Sequence, residues 1–380
     1  MRNKVNNLTY NEEELLENEE ELNTSFNNEG IYPMLNIKVE KSFYSIFELK
    51  RKFDRNDKKI VLDSDFQRNS VWGHLQKSEL IESILMGLPL PLFYFFEDKL
   101  GRLIVIDGRQ RLTAFFEFLD NDFELKTLKI LKEFSGKKFK DLDAIAQSKI
   151  EDYQIQANVI QPPTPDQIKF DIFDRVNRAG TQLNKQEIRN ALYQGKSTQL
   201  LKEIVQTKAF SDATGNAFQN NSRMKDRYII LRFLAFEIYY ENKLYDDKGY
   251  AYEYKNDIDD LLGKTMEYIN KLKDSEVEIL KKITLSCLEK SYFYLGNDGF
   301  RLIQNNRKSP INMNIFECLM HLMRKIPSSD EILKNDVKIQ VNSLLQDRLF
   351  ENSIRKHRDN WNNVKIRYSM IDKITEELKK

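Results

Sequence analysis

The sequence contains few of the residues that build disulfide frameworks or metal centres. Only two of its 380 residues are cysteine and only three are histidine. Cys287 and Cys318 each lie in an apolar stretch with helical periodicity, which predicts buried, reduced thiols and a reducing cytosol. The histidines, His74, His321 and His357, are far apart in the chain. They lack the spacing of metal ligands, which argues against a zinc site.

Long hydrophobic runs and an excess of one charge are also missing. The longest apolar runs, such as residues 88–96, are too short to span a bilayer, and the N-terminus lacks a signal-peptide core. The formal net charge is +1, so no global field attracts the protein to a membrane or to nucleic acid. Binding to nucleic acid would need a local patch. We therefore expect a cytoplasmic protein without a membrane partner.

The residues that are present predict two domains and an α+β fold. At 380 residues with 41% hydrophobic and 31% charged residues, the chain can bury a substantial core. Residues 1–35 are polar and acidic, which predicts a disordered or loosely helical arm. Strand and helix patterns alternate over residues 36–195, and residues 196–380 are almost entirely helical in pattern. The predicted architecture is a small α/β domain followed by a mostly helical domain.

One short motif lies where a predicted strand meets a predicted helix. An apolar strand over residues 103–106 runs into Asp107, Gly108, Arg109, Gln110 and Arg111, after which apolar residues recur at helical spacing. Backbone amides at a helix start lack intrahelical partners and bind anions readily. Glycine permits close approach of a ligand to the backbone, and arginines supply paired donors for phosphate oxygens. The pattern predicts a phosphate or nucleotide site.

An ordinary turn is the alternative interpretation of these five residues. An Asp-Gly pair is a common turn signal, and arginines in a first helical turn are often only solvated. Taken alone, the five residues favour that alternative, because short motif matches carry a high false-positive rate. The neighbouring sequence shifts the balance.

Three segments occur together and carry a resemblance to a known family. They cover residues 65–72 leading into 80–91, residues 105–114, and residues 172–183 ending in 187–191. Their order and spacing resemble the ParB/sulfiredoxin-like domain of the GmrS half of GmrSD restriction systems, which also opens SspE-type phage-defence proteins. The resemblance covers roughly residues 40–195, and parts of the helical continuation are similar as well.

The resemblance implies a nucleotide site with one departure from the family pattern. The family's central motif is usually D-G-Q-Q-R and is implicated in nucleoside triphosphate binding and hydrolysis. Asp107, Gly108, Gln110 and Arg111 match it, whereas Arg109 replaces the first glutamine. The extra cation could strengthen phosphate binding. It could equally displace a glutamine that positions water, so the departure puts catalysis in more doubt than binding.

Roles for these residues follow from the needs of phosphoryl transfer, which are charge neutralisation, an oriented water and a divalent metal. We expect Arg109 and Arg111 to contact phosphates and Gly108 to offer its N–H. Asp107 is the predicted metal ligand, through water, for Mg²⁺ bound with the nucleoside triphosphate. Asp107 and Gln110 are the predicted catalytic residues, with Gln110 orienting the nucleophile.

Four further residues are weaker candidates. Gln67 and Arg68 precede the first helix, where a second set of ligand contacts is plausible, and a solvated loop is the alternative for both. Asn177 is assigned a ligand or structural role by the resemblance, and its alternative is a simple helix cap. Glu82 could help to hold the metal, although a glutamate on an outer helix face is usually only solvated.

The C-terminal region offers one basic stretch and no nuclease motif. Residues 355–368 interleave basic and aromatic side chains, a pattern that can grip nucleic acid. A solvated helix face is the more common explanation, and it is the one we favour. Many relatives carry a fused His-Asn-His nuclease, but His357 has no paired histidine. We therefore expect a separately encoded nuclease or other defence subunit as a partner.

The leading interpretation is a nucleoside triphosphate-binding, hydrolysing sensor or regulator in prokaryotic DNA restriction or anti-phage defence, with DNA as a further partner. The rival is a non-catalytic adaptor for nucleic acid or a protein partner, whose groove holds phosphate backbone instead of nucleotide. A degenerate domain kept for scaffolding is the third possibility, and it predicts no nucleotide binding.

Overall fold

The computed structural model describes residues 37–57, 59–62, 72–98, 100–164, 168–169, 172, 175–176, 184–218, 223–246, 249–304, 307–326, 329–355 and 358–379. The predicted acidic arm at residues 1–35 lies outside them, as do Gln67, Arg68 and Asn177. The chain divides between residues 183 and 184 into two compact units, an α/β unit and a helical unit. The two units confirm the predicted α+β class.

The α/β unit is built on a five-stranded mixed sheet in the order β1-β5-β3-β4-β2. β1–β5 and β3–β4 pair antiparallel, whereas β3–β5 and β2–β4 pair parallel. The strands and helices occur in the following order along the chain: β1 (Lys38–Ser45), α1 (Ile46–Asp54), β2 (Ile60–Val61), α2 (His74–Leu85), β3 (Phe93–Glu97), β4 (Leu103–Asp107), α3 (Arg109–Leu119), α4 (Ala144–Glu151) and β5 (Gln154–Gln161).

The apolar runs at residues 92–96 and 102–106, separated by a turn at residues 97–101, predict a hairpin, and the antiparallel pair of β3 and β4 confirms it. Both strands are apolar at nearly every position because both of their faces are buried. Asp98 closes the turn, where Oδ1 accepts hydrogen bonds from the amides of Leu100 and Arg102 at 2.8 and 2.9 Å. Gly101 has a φ of +69°, a conformation that glycine adopts without strain. The turn sets the register that brings β4 to its end at Asp107.

The helix that follows β4 buries the face that the sequence predicts. Leu112, Phe115 and Phe116 of α3 are buried in the core of the α/β unit. Ile155, Ala157 and Val159 are apolar residues at every second position, a pattern that predicts a half-buried strand. The structure confirms it, since all three are buried in β5. The periodicity of apolar residues therefore predicted the helix and the strand around the motif correctly.

The helical unit contains ten α-helices and one hairpin among the residues described for it. These elements are α5 (Lys185–Leu192), α6 (Lys196–Val205), α7 (Lys208–Thr214), α8 (Lys225–Tyr240), α9 (Ile258–Lys271), α10 (Asp274–Leu295), β6 (Arg301–Gln304), β7 (Arg307–Ile311), α11 (Met313–Lys325), α12 (Lys334–Gln346), α13 (Arg348–Arg355) and α14 (Trp361–Glu377). Helix α8 is buried on all sides and packs against α6, α9 and α11. The β6–β7 hairpin was not predicted, because its short strands lie between long helical patterns.

Helix α5 belongs to the helical unit, whereas the sequence pattern predicts a domain boundary after residue 195. Its contacts explain the assignment. Asn184, which caps α5, donates to the carbonyl of Arg223 at 2.7 Å, and Arg189 donates to Asp259 at 2.5 Å. The spacing of Asn184 and Glu187 predicts a capping box, and the two residues confirm it by exchanging hydrogen bonds at 2.7 and 2.9 Å. Polar contacts with distant residues fix this helix, and sequence spacing does not reveal them.

A network of buried charges lies at the centre of the helical unit. Glu317 is fully buried and accepts hydrogen bonds from Arg232 at 2.8 Å and from Arg367 at 2.9 Å, and both arginines are also fully buried. Arg232 further donates to Asp359 at 2.8 Å. Burial alone would raise the pKa of Asp359, but the charge of Arg232 and its hydrogen bond lower it below the ordinary value. Each buried charge is therefore compensated by an opposite one.

The same network corrects the interpretation of residues 355–368. A solvated helix face was favoured there, but Arg358, Arg367 and Tyr368 are buried. Arg367 donates to the carbonyls of Ser353 and Arg358, both at 2.7 Å, as well as to Glu317. These side chains are therefore structural, and Arg358, Arg367 and Tyr368 are not available to grip nucleic acid.

Candidate functional site

The five-residue motif lies at the predicted junction of strand and helix. Asp107 is the last residue of β4, Gly108 is the N-cap of α3, and Arg109 is the first helical residue. The first intrahelical hydrogen bond runs from the amide of Leu112 to the carbonyl of Gly108 at 2.9 Å. Glycine has no side chain that could cap the first turn, so the positive end of the helix dipole is not offset there by an N-cap side chain.

Gly108 is required by the backbone and by its neighbour. Its φ of +97° and ψ of 7° are left-handed, a region that residues with a Cβ occupy at a cost. A Cβ at this position would overlap Cδ1 of the Phe93 ring and lie 2.6 Å from Cε1. The glycine therefore lets the β4–α3 junction pass directly over a buried aromatic ring of β3.

Arg111 is directed into the protein, where it holds the motif together. The residue is 8% exposed, and its guanidinium donates to the carbonyls of Pro91 and Leu92 and, at 2.8 Å, to Oδ2 of Asp107. It also lies over the Phe93 ring, 4.1 Å from the ring centroid. Burial lowers the pKa of Arg111, and the Asp107 carboxylate opposes that shift. The guanidinium thus ties the end of β4 to the segment that enters β3.

This geometry gives Arg111 internal partners, while its predicted phosphate contact stays a prediction. Two carbonyls and a carboxylate accept its hydrogen bonds, so the side chain positions Asp107. The sequence missed the partners because a carbonyl acceptor leaves no residue-type signal. The one available hint was the pair Pro89 and Pro91, which precedes β3 and sets the path of those carbonyls.

We expect Arg111→Ala to lower the free energy of unfolding of the α/β unit by about 2 kcal/mol, because buried carbonyls lose their donor. Urea unfolding followed by tryptophan fluorescence measures the change. Arg55→Ala is the matched control, since Arg55 also pairs with an aspartate, Asp57, but at an exposed position. That variant should unfold at the wild-type urea midpoint. A wild-type midpoint for Arg111→Ala would contradict the positioning role.

Arg111 engages only one of the two carboxylate oxygens of Asp107. Its Oδ2 accepts from Arg111, whereas Oδ1 accepts no hydrogen bond from the part of the chain that the structure describes. The side chain is 38% exposed. An ionised carboxylate oxygen that is held in place and accessible can contact a hydrated divalent cation.

Gln110 connects the start of α3 to the chain that precedes α2. Its Oε1 accepts a hydrogen bond from the amide of Trp72 at 3.4 Å. Trp72 is half-buried and packs against the α/β core. Gln67 and Arg68 precede Trp72 by five and four residues and lie outside the described part of the chain. The contact places the backbone of Trp72 beside the motif.

Glu82 is not the solvated residue that its helical position suggested. It is 4% exposed, and its Oε1 accepts hydrogen bonds from the amides of Ile130 and Leu131, both at 2.8 Å. The carboxylate therefore holds the loop after α3 against α2. Because these amides already engage the Glu82 carboxylate, the weak metal role considered for it is not supported.

The cysteines are buried thiols without a disulfide, as predicted. Burial raises the pKa of each thiol to about 12, so both remain protonated at neutral pH. In the described ranges, no group of histidine, cysteine, aspartate or glutamate side chains has the arrangement of a metal site. No helix of those ranges is long and apolar enough to cross a membrane.

The α/β unit and helix α5 are similar to one known family of domains. Residues 46–194 match the model of the family described as the GmrSD restriction endonuclease, N-terminal domain. This part of the chain is therefore similar to the N-terminal domain of the GmrSD restriction endonuclease, in agreement with the resemblance that the motifs carry. It covers less than half of the chain and ends just after α5, so most of the helical unit lies outside it. No curated protein and no solved structure matches the chain.

Proposed function

Because residues 46–194 match a GmrSD-type domain, we propose that the α/β unit binds a nucleoside triphosphate with Mg²⁺ at the start of α3 and hydrolyses it. The chain would act as a sensor or regulator in DNA restriction or anti-phage defence. The observation that carries the proposal is the junction of β4 and α3. There a left-handed glycine opens the helix start while Arg111 holds Asp107 in place.

The proposed ligand contacts use the residues at this junction that remain accessible. Phosphate oxygens would accept from the first-turn amides of α3 and from Arg109, which is half-buried at the first helical position. Gln67, Arg68 and Asn177 stay in the proposal as further contacts suggested by the resemblance. We also propose that the α/β unit is a ParB/sulfiredoxin-like domain.

Hydrolysis is proposed for Asp107 and Gln110. Asp107 would hold the hydrated metal through Oδ1, and Mg²⁺ would neutralise charge on the phosphate oxygens. Gln110 would orient the attacking water with the amide group whose oxygen now accepts from Trp72. Arg109 stands where the family usually has a glutamine. The replacement therefore bears on hydrolysis more than on nucleotide binding.

Arg109→Ala is expected to weaken nucleotide binding about tenfold, because one charge-assisted phosphate contact is lost. Isothermal titration calorimetry of the full chain with each of the four ribonucleoside triphosphates and Mg²⁺ measures the affinity. Arg51→Ala removes an exposed arginine of α1 and should bind like the wild type. If the wild type binds none of the four nucleotides, or Arg109→Ala binds as tightly as the wild type, the site assignment fails.

A non-catalytic adaptor is the second candidate, and the replacement of a glutamine by Arg109 favours it. An added arginine suits a phosphate backbone as well as a nucleotide. Binding to DNA would then weaken steeply with salt, in proportion to the phosphates contacted. DNA binding at two salt concentrations, with and without nucleotide, separates the two functions. A separately encoded nuclease or other defence subunit remains the proposed protein partner.

A further inference from the structure

A cleft of about 370 Å³ opens in the helical unit. It lies between α10 and the C-terminal end of α11. Five of its lining residues come from one face of α10 and one comes from α11. They are Lys282, Ile283, Ser286, Cys287, Lys290 and Arg324.

Three polar residues form a row along this face of α10. Lys282, Ser286 and Lys290 follow one another at intervals of four residues, so their side chains lie above one another on the helix. Lys282 is exposed and makes no ion pair with the residues that the structure describes. The Ser286 hydroxyl likewise has no hydrogen-bond partner among them. The row therefore presents donors that the helical unit itself does not use.

Lys290 places a positive charge at the base of the cleft. It is only 9% exposed, and its ammonium group donates to the carbonyls of Met323 and Ile326. These carbonyls end α11, where the helix dipole is negative, so they hold the lysine without neutralising it. No carboxylate of the described chain pairs with it. An ammonium group has three donors, and one of them is left for the cleft.

The rest of the lining carries no negative charge. Arg324 forms ion pairs with Glu237 of α8 and with Glu241, the C-cap of that helix, and neither glutamate lines the cleft. The Cys287 thiol is neutral, since burial raises its pKa to about 12. Ile283 supplies the one aliphatic surface. A buried cation, an exposed cation and a hydroxyl thus line a cleft that contains no competing carboxylate.

We propose that this cleft binds a small phosphorylated molecule whose phosphoryl oxygens accept hydrogen bonds from Lys282, Ser286 and Lys290. The volume is at the lower end of the range of small-molecule sites. Nucleic-acid backbone is a poorer fit, because Lys290 is only 9% exposed. The site is separate from the start of α3, so the inference does not depend on nucleotide binding there.

Titration calorimetry of the full chain with inorganic phosphate tests the proposal in an Arg109→Ala background, which suppresses a contribution from the start of α3. Lys282→Gln is expected to weaken phosphate binding about tenfold. Lys281→Gln is the matched control, because the neighbouring Lys281 pairs with Glu203 at 2.6 Å and does not line the cleft. It should bind phosphate as the background protein does. Ser286→Ala should cause a smaller loss and keep the fold intact.

Three results would overturn the proposal. One is the absence of binding at millimolar phosphate in the background protein. Another is an equal loss of affinity in Lys281→Gln and Lys282→Gln, since that would indicate a general effect of surface charge. The third is displacement of phosphate by a DNA duplex in a Lys282-dependent manner, which would assign the lysine row to nucleic acid. Failure of nucleotide binding at the start of α3 changes none of these outcomes.

Discussion

Gly108→Ala is expected to lower the free energy of unfolding of the α/β unit by about 3 kcal/mol or more. The left-handed backbone contributes about 1–2 kcal/mol of this loss. Overlap of the new Cβ with the fully buried Phe93 ring contributes about 1–3 kcal/mol more, because that ring cannot move into solvent. The motif glycine is thus a structural requirement before it is a ligand contact.

The two tryptophans of the chain allow this loss to be assigned to one unit. Trp72 belongs to the α/β unit and Trp361 to the helical unit. In a Trp361→Phe background, urea unfolding followed by fluorescence therefore reports the α/β unit alone. Gly87→Ala is the matched control, since Gly87 also has a positive φ, +74°, but a Cβ added there would meet no atom within 4 Å. It should cost about 1 kcal/mol from the backbone alone. If both variants lose the same free energy of unfolding, overlap with the Phe93 ring does not contribute to the loss.

Glu317→Ala is expected to destabilise the helical unit by about 3–5 kcal/mol, the largest effect predicted for a single side chain in this protein. The carboxylate compensates two fully buried arginines, Arg232 and Arg367. Without it, Arg232 keeps Asp359, but Arg367 retains only backbone carbonyls as partners. An uncompensated buried charge is far more costly than a lost surface ion pair.

Fluorescence of Trp361 in a Trp72→Phe background measures the effect on the helical unit. Glu351→Ala is the control, because Glu351 forms an exposed ion pair with Arg355 in the same unit. We expect no measurable change in its urea midpoint. If Glu317→Ala unfolds at the same midpoint as Glu351→Ala, the buried network does not stabilise this fold. Glu317→Gln should lie between the two, since an amide keeps one acceptor but loses the charge.

The predictions that the structure confirmed rest on periodic patterns and on local turn chemistry. The β3–β4 hairpin, the buried face of α3 and the capping box of Asn184 and Glu187 each depend on residues close together in the chain. The local sequence therefore determines the interactions that stabilise these features.

The interpretation that was wrong concerns the environment of a charged side chain. Arg367 was expected to be solvated, but it is fully buried against partners. Sequence patterns treat an arginine as a surface residue, because most arginines are exposed. Compensation by a distant carboxylate or carbonyl reverses that expectation, and such partners are visible only after folding.

The sequence by itself determined the α+β class, the strand–glycine–helix junction at Asp107 and Gly108, and the similarity to the GmrSD N-terminal domain, because each is encoded by neighbouring residues or by ordered motifs. Only the tertiary structure decided that Arg111 positions Asp107, that Glu317 holds two buried arginines, and that α10 and α11 enclose a cationic cleft. The physical reason is that these features depend on desolvation and on partners far apart in the chain. Their free energies arise only when the core excludes water.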